Sequence, residues 1–193
     1  MRRLLMLLPL CIPLTLSAQQ VPPAAPARAP NTVARTFLSF GQPYGGWLLM
    51  AFDSIPASQY GFRPTPVQQS VGHIAQHLEH ANYALCSQFS DLTSVKSARD
   101  SLADTIKARL PKDSLIARVR ASLVFCRYAI ETLTDAQLAD EITISTPSGP
   151  QTGLRVRYLI LLVTDLAEHY SQLSSYMRLL GLVPPSALPR PTR

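Results

Sequence analysis

Residues Ser70 to His80 read SVGHIAQHLEH and hold three of the chain's four histidines. On a helix His73 and His77 lie four apart and His77 and His80 three apart, so all three fall on or near one face. Imidazole is a good ligand for a divalent cation. One helical turn offers at most two well-placed rings, however, because a bound ion needs its donors within about 2.0–2.1 Å. A site therefore needs a second element, and the fourth histidine provides one: LLVTDLAEHYSQL places Asp165 and His169 four apart. Around them Leu162, Leu166, Leu173 and Tyr176 recur at helical spacing. A carboxylate and an imidazole would then point from an apolar stripe into an interior where an unpaired charge is costly. Two neutral nitrogens and one carboxylate, from His77, His169 and Asp165, suit a divalent ion with positions left open for water. The same residues also fit ordinary, partly buried and hydrogen-bonded helix positions, and Asp165 could equally pair with an arginine such as Arg127. His73 and His80 lack an evident partner and read as solvent-edge or supporting residues.

The elements that must position these side chains are helices. From Thr32 the stretch VARTFLSFGQPYGGWLLMAFDSI repeats apolar residues at helical spacing behind Asn31 or Thr32 as N-cap, with Pro43 and Gly45-Gly46 as points of bending. PASQYGFRPTP has the Pro and Gly density of a loop. A second helix is expected from about Val67 to Phe89, with Val71, Ile74, Leu78, Ala81 and Leu85 along one side. A short helical stretch around Ala98 to Leu110 leads into a third helix that opens on Asp113 or Ser114 and carries Leu115, Val119, Leu123, Cys126 and Ile130. Between Asp140 and Arg155, EITISTPSGPQTG alternates β-branched residues and then turn residues, which predicts a short hairpin or crossover loop. The last helix runs from about Leu154 to Leu180, with Gly181 at C′ and Pro184-Pro185 forbidding continuation. Four amphipathic helices with one long connection before the last predict an all-α four-helix bundle.

At 193 residues the chain has room for one well-cored domain. Its start, MRRLLMLLPLCIPLTLSAQQ, has the three parts of a secretory signal: Arg2 and Arg3, an apolar run from Leu4 to Leu16, and small Ser17 and Ala18 before Gln19. Residues 1–18 are thus read as a signal peptide cleaved after about Ala18, and the protein as exported, periplasmic or secreted. The run is shorter than the roughly 20 residues of a spanning helix and is broken by Pro9 and Pro13, so no stable membrane insertion is expected after cleavage. Residues 19–30, rich in Pro and Ala, read as an extended linker, residues 31–185 as the bundle and 186–193 as a disordered tail. Of 18 basic and 12 acidic residues, Arg2 and Arg3 leave with the leader, and the mild basic excess that remains is scattered, without interleaved aromatic rings. Nucleic-acid binding is not expected. Outside the leader two cysteines remain, Cys86 and Cys126. In an exported protein such a pair can form a disulfide, although both also suit small core-filling positions.

SVGHIAQHLEHANY and DLAEHYSQLSSYMRLLGLVPP together resemble the DinB-like, or YfiT-like, family of four-helix-bundle metalloproteins. The family's Ser-Val-Gly start, counted from Ser70, puts its metal-binding histidine at His77. Its paired histidines four apart, followed by Gln, Tyr-x-Arg, Gly and Pro-Pro, fall on Asp165 and His169 with Gln172, Tyr176, Arg178, Gly181, Pro184 and Pro185. Asp165 stands where the family usually has histidine. Aspartate is a competent ligand for zinc, nickel, manganese or iron, with a changed metal preference; a weakened site, or one using His73 instead, fits the same residue. The resemblance implies a small-molecule substrate and either a metal-dependent hydrolase or a thiol S-transferase of the kind that uses bacillithiol or mycothiol. It also allows two copies to pair through helix faces. The alternative is a non-catalytic bundle, a binding or scaffold module with a degenerate metal site. Tyr83, Glu79 and Glu168 are candidates for supporting or acid-base roles, although glutamates at such positions are more often simply solvated.

Overall fold

The structure is a computed structural model that describes residues 31–90, 92–93, 101–146 and 148–189. The leader and the Pro/Ala-rich linker lie outside the described residues, as do residues 98–100 of the short helical stretch and the last four residues of the tail.

Helix α1, Thr32–Ser54, runs through Pro43 and the Gly45-Gly46 pair without a break. Its start is capped from a distance: the Asp135 carboxylate accepts from the Val33 and Ala34 amides at 2.9 and 3.2 Å, while Asn31 makes no side-chain cap. Helix α2, Val71–Ser90, begins four residues later than the apolar pattern suggested. The delay has a local cause: Pro64 and Pro66 hold the preceding segment out of helix, and Ser70 takes the N-cap position, its hydroxyl accepting from the His73 amide at 3.2 Å. The short α3, Asp104–Lys107, leads to α4, Lys112–Glu131, which starts directly after Pro111. The connection to the last helix contains an antiparallel hairpin of β1, Glu141–Thr146, and β2, Gly149–Leu154, with Glu141 opposite Leu154 and Thr146 opposite Gly149.

Helix α5, Arg155–Leu179, ends as its glycine predicts. Gly181 has φ of +74°, the Leu182 amide donates to Met177 O at 2.8 Å and the Gly181 amide to Arg178 O at 3.1 Å, the pair of bonds of a Schellman cap. Pro185–Ala187 then forms a 3-10 turn, and the Ser186 amide donates to the Tyr170 hydroxyl at 2.8 Å. The tail expected to be disordered from Ser186 is thus anchored at its start.

The four long helices close a ring in the order α1, α5, α2, α4, each packing on the next. Two apolar clusters fill it. One joins Leu48, Phe52, Ile74, Leu78, Leu115 and Leu173; the other, toward the hairpin, joins Phe89, Ile130, Leu138, Ile144, Tyr158 and Leu159. The architecture is the all-α bundle that the helical periodicity predicts. α2 touches both of its neighbours with polar side chains. On the α4 side these are Glu79, Asn82 and Cys86; on the α5 side it is His77.

Candidate metal centre

The register of α2 against α5 is set by the segments around the site. A Cβ on Gly72 would lie 2.2 Å from Ala108 O, so only glycine lets the start of α2 approach the chain after α3. The Tyr176 hydroxyl donates to Gln69 O at 3.0 Å and accepts from Gln172 Nε2 at 2.9 Å, tying the end of α5 to the residue before the Ser70 cap. Gly72, Gln172 and Tyr176 therefore position the helices that carry the candidate ligands.

One and a half turns into α2, His77 faces Asp165 and His169. His77 Nε2 lies 3.6 Å from Asp165 Oδ1, and His169 Nδ1 lies 3.4 Å from the same oxygen. One ligand atom from each of the three residues falls within 4.8 Å of the others. Donors held tetrahedrally at about 2.1 Å from an ion sit roughly 3.4 Å apart, so the His77–Asp165 separation is close to the spacing a divalent cation requires. The two rings stack, with centroids 4.7 Å apart and planes 24° from parallel. The His169 Nδ1–H donates to Asp165 O, its own helix's carbonyl, at 2.9 Å, which leaves Nε2 of the neutral ring with its lone pair.

The site is closed on one side and open on the other: the His169 side chain is 9% exposed, Asp165 23% and His77 36%. Inside it Asp165 Oδ2 is buried and has no hydrogen-bond partner. A solvent-shielded carboxylate oxygen, on the carboxylate whose Oδ1 two imidazoles approach, is an unmet demand for positive charge. In its absence the Asp165 carboxylate, as partner of the protonated ring, raises the pKa of His77 against the opposing effect of burial.

The remaining candidates go elsewhere. Asp165 does not meet Arg127, which lies on the far side of the bundle facing a crevice between α1 and α4. His73 lines a separate cavity of about 450 Å³ with Tyr60, Ser70, Arg63, Arg109 and Lys112, and His80 is exposed. Neither joins the three-residue cluster. Glu168 is exposed, while the ring of Tyr83 packs 5.4 Å from that of Phe125. Glu79 is not solvated: it is buried and clamped by Arg118, with Nη2 to Oε1 at 2.7 Å and Nε to Oε2 at 2.9 Å.

Sequence reasoning missed the partners of Glu79 and Asn82, and it left the pairing of the two cysteines open. Asn82 Nδ2 donates to Ser122 Oγ at 2.9 Å, and Cys86 is bonded to Cys126 with Cα atoms 5.3 Å apart. Buried Gln76 donates to Asp104 at 3.0 Å, and Lys107, 3.0 Å from the same carboxylate, holds Asp104 below the usual carboxylate range. The signal was present as spacing: Glu79, Asn82 and Cys86 on one helix, and Arg118, Ser122 and Cys126 on the other, recur every three or four residues.

The sequence profile of the DinB superfamily matches residues 47–173, and the chain belongs to that superfamily. Solved structures agree in fold. A DinB-like protein from Bacillus cereus superposes with a TM-score of 0.63 at 16% identity, covering 78% of this chain and 95% of the other. A DinB-like protein from Bacillus subtilis gives 0.58 at 14% identity, covering 76% and 92%. The mycothiol-dependent maleylpyruvate isomerase gives 0.56 at 14% identity over 72% of this chain, which spans 59% of that enzyme. No curated protein matches the chain by sequence.

Proposed function

We propose that this protein holds one divalent metal ion through His77, Asp165 and His169 and is a metal-dependent enzyme acting on a small molecule, a thiol S-transferase or a hydrolase. The observation that carries the reading is the buried, unpartnered Oδ2 of the Asp165 carboxylate, whose Oδ1 two imidazoles approach. A bound divalent ion with open positions supplies Lewis acidity, lowering the pKa of a water or thiol that joins it. The chain's own residues do the rest. His169 is fixed in its tautomer by the Asp165 carbonyl, Asp165 contributes the charge that favours a dication, and half-open His77 faces the side from which substrate arrives. The fold shared with a mycothiol-dependent enzyme supports the thiol reaction over hydrolysis. Zinc, nickel, manganese and iron all accept this nitrogen and oxygen set.

The reading includes export to the periplasm or beyond. The Cys86–Cys126 disulfide suits an oxidising compartment, and among the described residues no helix is long and apolar enough to cross a membrane. N-terminal sequencing of the protein recovered outside the cytoplasm should begin near Gln19; a start at Met1 would overturn the cleavage.

The second reading, a non-catalytic bundle with a degenerate site, is favoured by one feature. The His77–Asp165 contact can satisfy the cluster in part without metal. Elemental analysis of the purified protein beside a His77→Ala, His169→Ala double variant separates the two. Near-stoichiometric metal in the first and none in the second supports the metalloenzyme; equal metal content in both sinks the site. Metal-loaded protein should also conjugate a small thiol to an activated electrophile, and the double variant should not.

A further inference from the structure

On the opposite side of the ring from the metal centre, the α1 and α4 helices pack on each other over only part of their facing surfaces. A crevice of about 460 Å³ lies between them, with α5 as its floor. Its walls are Phe37, Leu38, Leu49, Leu123, Leu162 and Val163, a size and lining typical of small-molecule sites. Gly45 and Gly46 of α1 line it. A Cβ at Gly45 would come within 3.2 Å of Leu123, so that residue is glycine for close packing. Gly46 differs: a Cβ there would meet nothing within 4 Å, yet this exposed helical position carries the residue a helix interior least favours apart from proline. Gly46 lines the crevice with open space around it, so a larger side chain there has room to reach over the opening.

The charged groups at the crevice are of one sign, beside the neutral amide of Gln42. Arg120 and Arg127 line it seven residues apart, two turns along the same face of α4, and no Asp or Glu lines it. Among the described residues neither arginine has an acidic partner or a hydrogen bond. Guanidinium groups beside an apolar trough match a carboxylate head on an apolar tail, since the planar fork takes a carboxylate through two parallel hydrogen bonds. A neutral apolar ligand would leave both cations unused.

We propose that the crevice between α1 and α4 binds a small amphipathic carboxylate, its tail against Leu162 and Val163 and its head at Arg120 and Arg127. This site is separate from the metal centre, although α5 serves both: Leu166 lines the crevice and Asp165 beside it faces His77.

The test is calorimetric titration of the full chain with decanoate and with decanol. Decanoate should bind more tightly than decanol. Gly46→Leu should abolish binding of both without lowering the melting temperature. The Arg120→Gln, Arg127→Gln variant should weaken decanoate about tenfold, to the level of decanol, and leave decanol unchanged. Three results would overturn the proposal: no decanoate binding by the parent chain, equal binding by Gly46→Leu, or indifference to the loss of both arginines. Light scattering that shows a dimer dissociated by Gly46→Leu, with no decanoate bound, would assign the crevice to a second copy of the chain instead.

Discussion

Helix α2 meets α4 and α5 with polar side chains on both sides, and the two seams are built on opposite principles. Toward α4, each polar or sulfur-bearing group finds a protein partner: Glu79 takes Arg118 through two contacts, Asn82 reaches Ser122, and Cys86 is covalently joined to Cys126. The exception is Asn82 Oδ1, a neutral amide oxygen. Toward α5, His77, Asp165 and His169 converge and leave a buried carboxylate oxygen without a partner. A carboxylate costs far more to strand than an amide. Polar groups that complete one another hold a bundle together, whereas those that converge and stay incomplete are suited to something that arrives from outside. The α4 seam is thus a staple and the α5 seam a socket, on two faces of one helix.

The comparison breaks most visibly at the staple. Cys86 and Cys126 close a loop with a sequence separation of 40, for which the chain-entropy argument gives about 4 kcal/mol of stabilisation. Replacing both by serine, or reducing the bond, should lower the melting temperature by about 10 °C. Metal content should be unchanged, because no ligand lies on that seam. A melting temperature insensitive to reductant would show that the disulfide adds nothing to the fold. Slightly smaller is the effect of Arg118→Ala, which strands the buried Glu79 carboxylate and should cost about 3 kcal/mol in denaturant unfolding. If Glu79→Gln on the same background restored none of the loss, the pair would not be its source.

The socket should behave the other way. His77→Ala with His169→Ala should cost the metal-free protein about 1–3 kcal/mol, since His169 is buried, while leaving the staple intact. The difference should appear on loading. Divalent metal at about a hundred times its dissociation constant should stabilise the parent chain by about 2.7 kcal/mol and the variant not at all. Thermal melts with and without metal check this, and stabilisation of both chains to the same extent would place the metal elsewhere.

What could be read in the sequence follows the same division. His77, Asp165 and His169 stand out because imidazole and carboxylate groups interrupt apolar stripes at helical spacing, a pattern confined to each helix by itself. The α4 seam was hidden because Arg118 and Ser122 are ordinary residues on a helix surface until that surface has a partner. Glu79 was accordingly assigned to solvent ahead of any role, although it is buried. The cysteines gave an open choice for the same reason: a 5.3 Å Cα separation depends on how two helices cross, which no local pattern encodes. Long-range capping was equally invisible, since Asp135 reaches Val33 across 102 residues of chain. Helix ends with local causes, such as Gly181, were legible to the residue.

The smallest expected effect is also the one that probes the socket in its metal-free state. Asp165 raises the pKa of His77 above its ordinary value of 6.5, so the folded protein binds the ring proton more tightly than the unfolded chain does. Stability from this contact is fully present below the unfolded value and is lost as pH rises through the folded one. The His77 side chain is more than a third exposed, so solvent screening keeps the contribution small. Metal affinity must move in the opposite direction over the same interval, because a ligating imidazole has to shed that proton. Between about pH 6 and 8 the metal-free chain should therefore soften slightly while its affinity for metal climbs. Asp165→Asn should flatten the first trend by removing the charge that holds the proton, and should weaken metal binding throughout. Denaturant melts of the metal-free protein at several pH values check the first trend. A parent chain with the same pH profile as Asp165→Asn would mean that His77 and Asp165 do not share a proton, and the socket would lose its electrostatic basis.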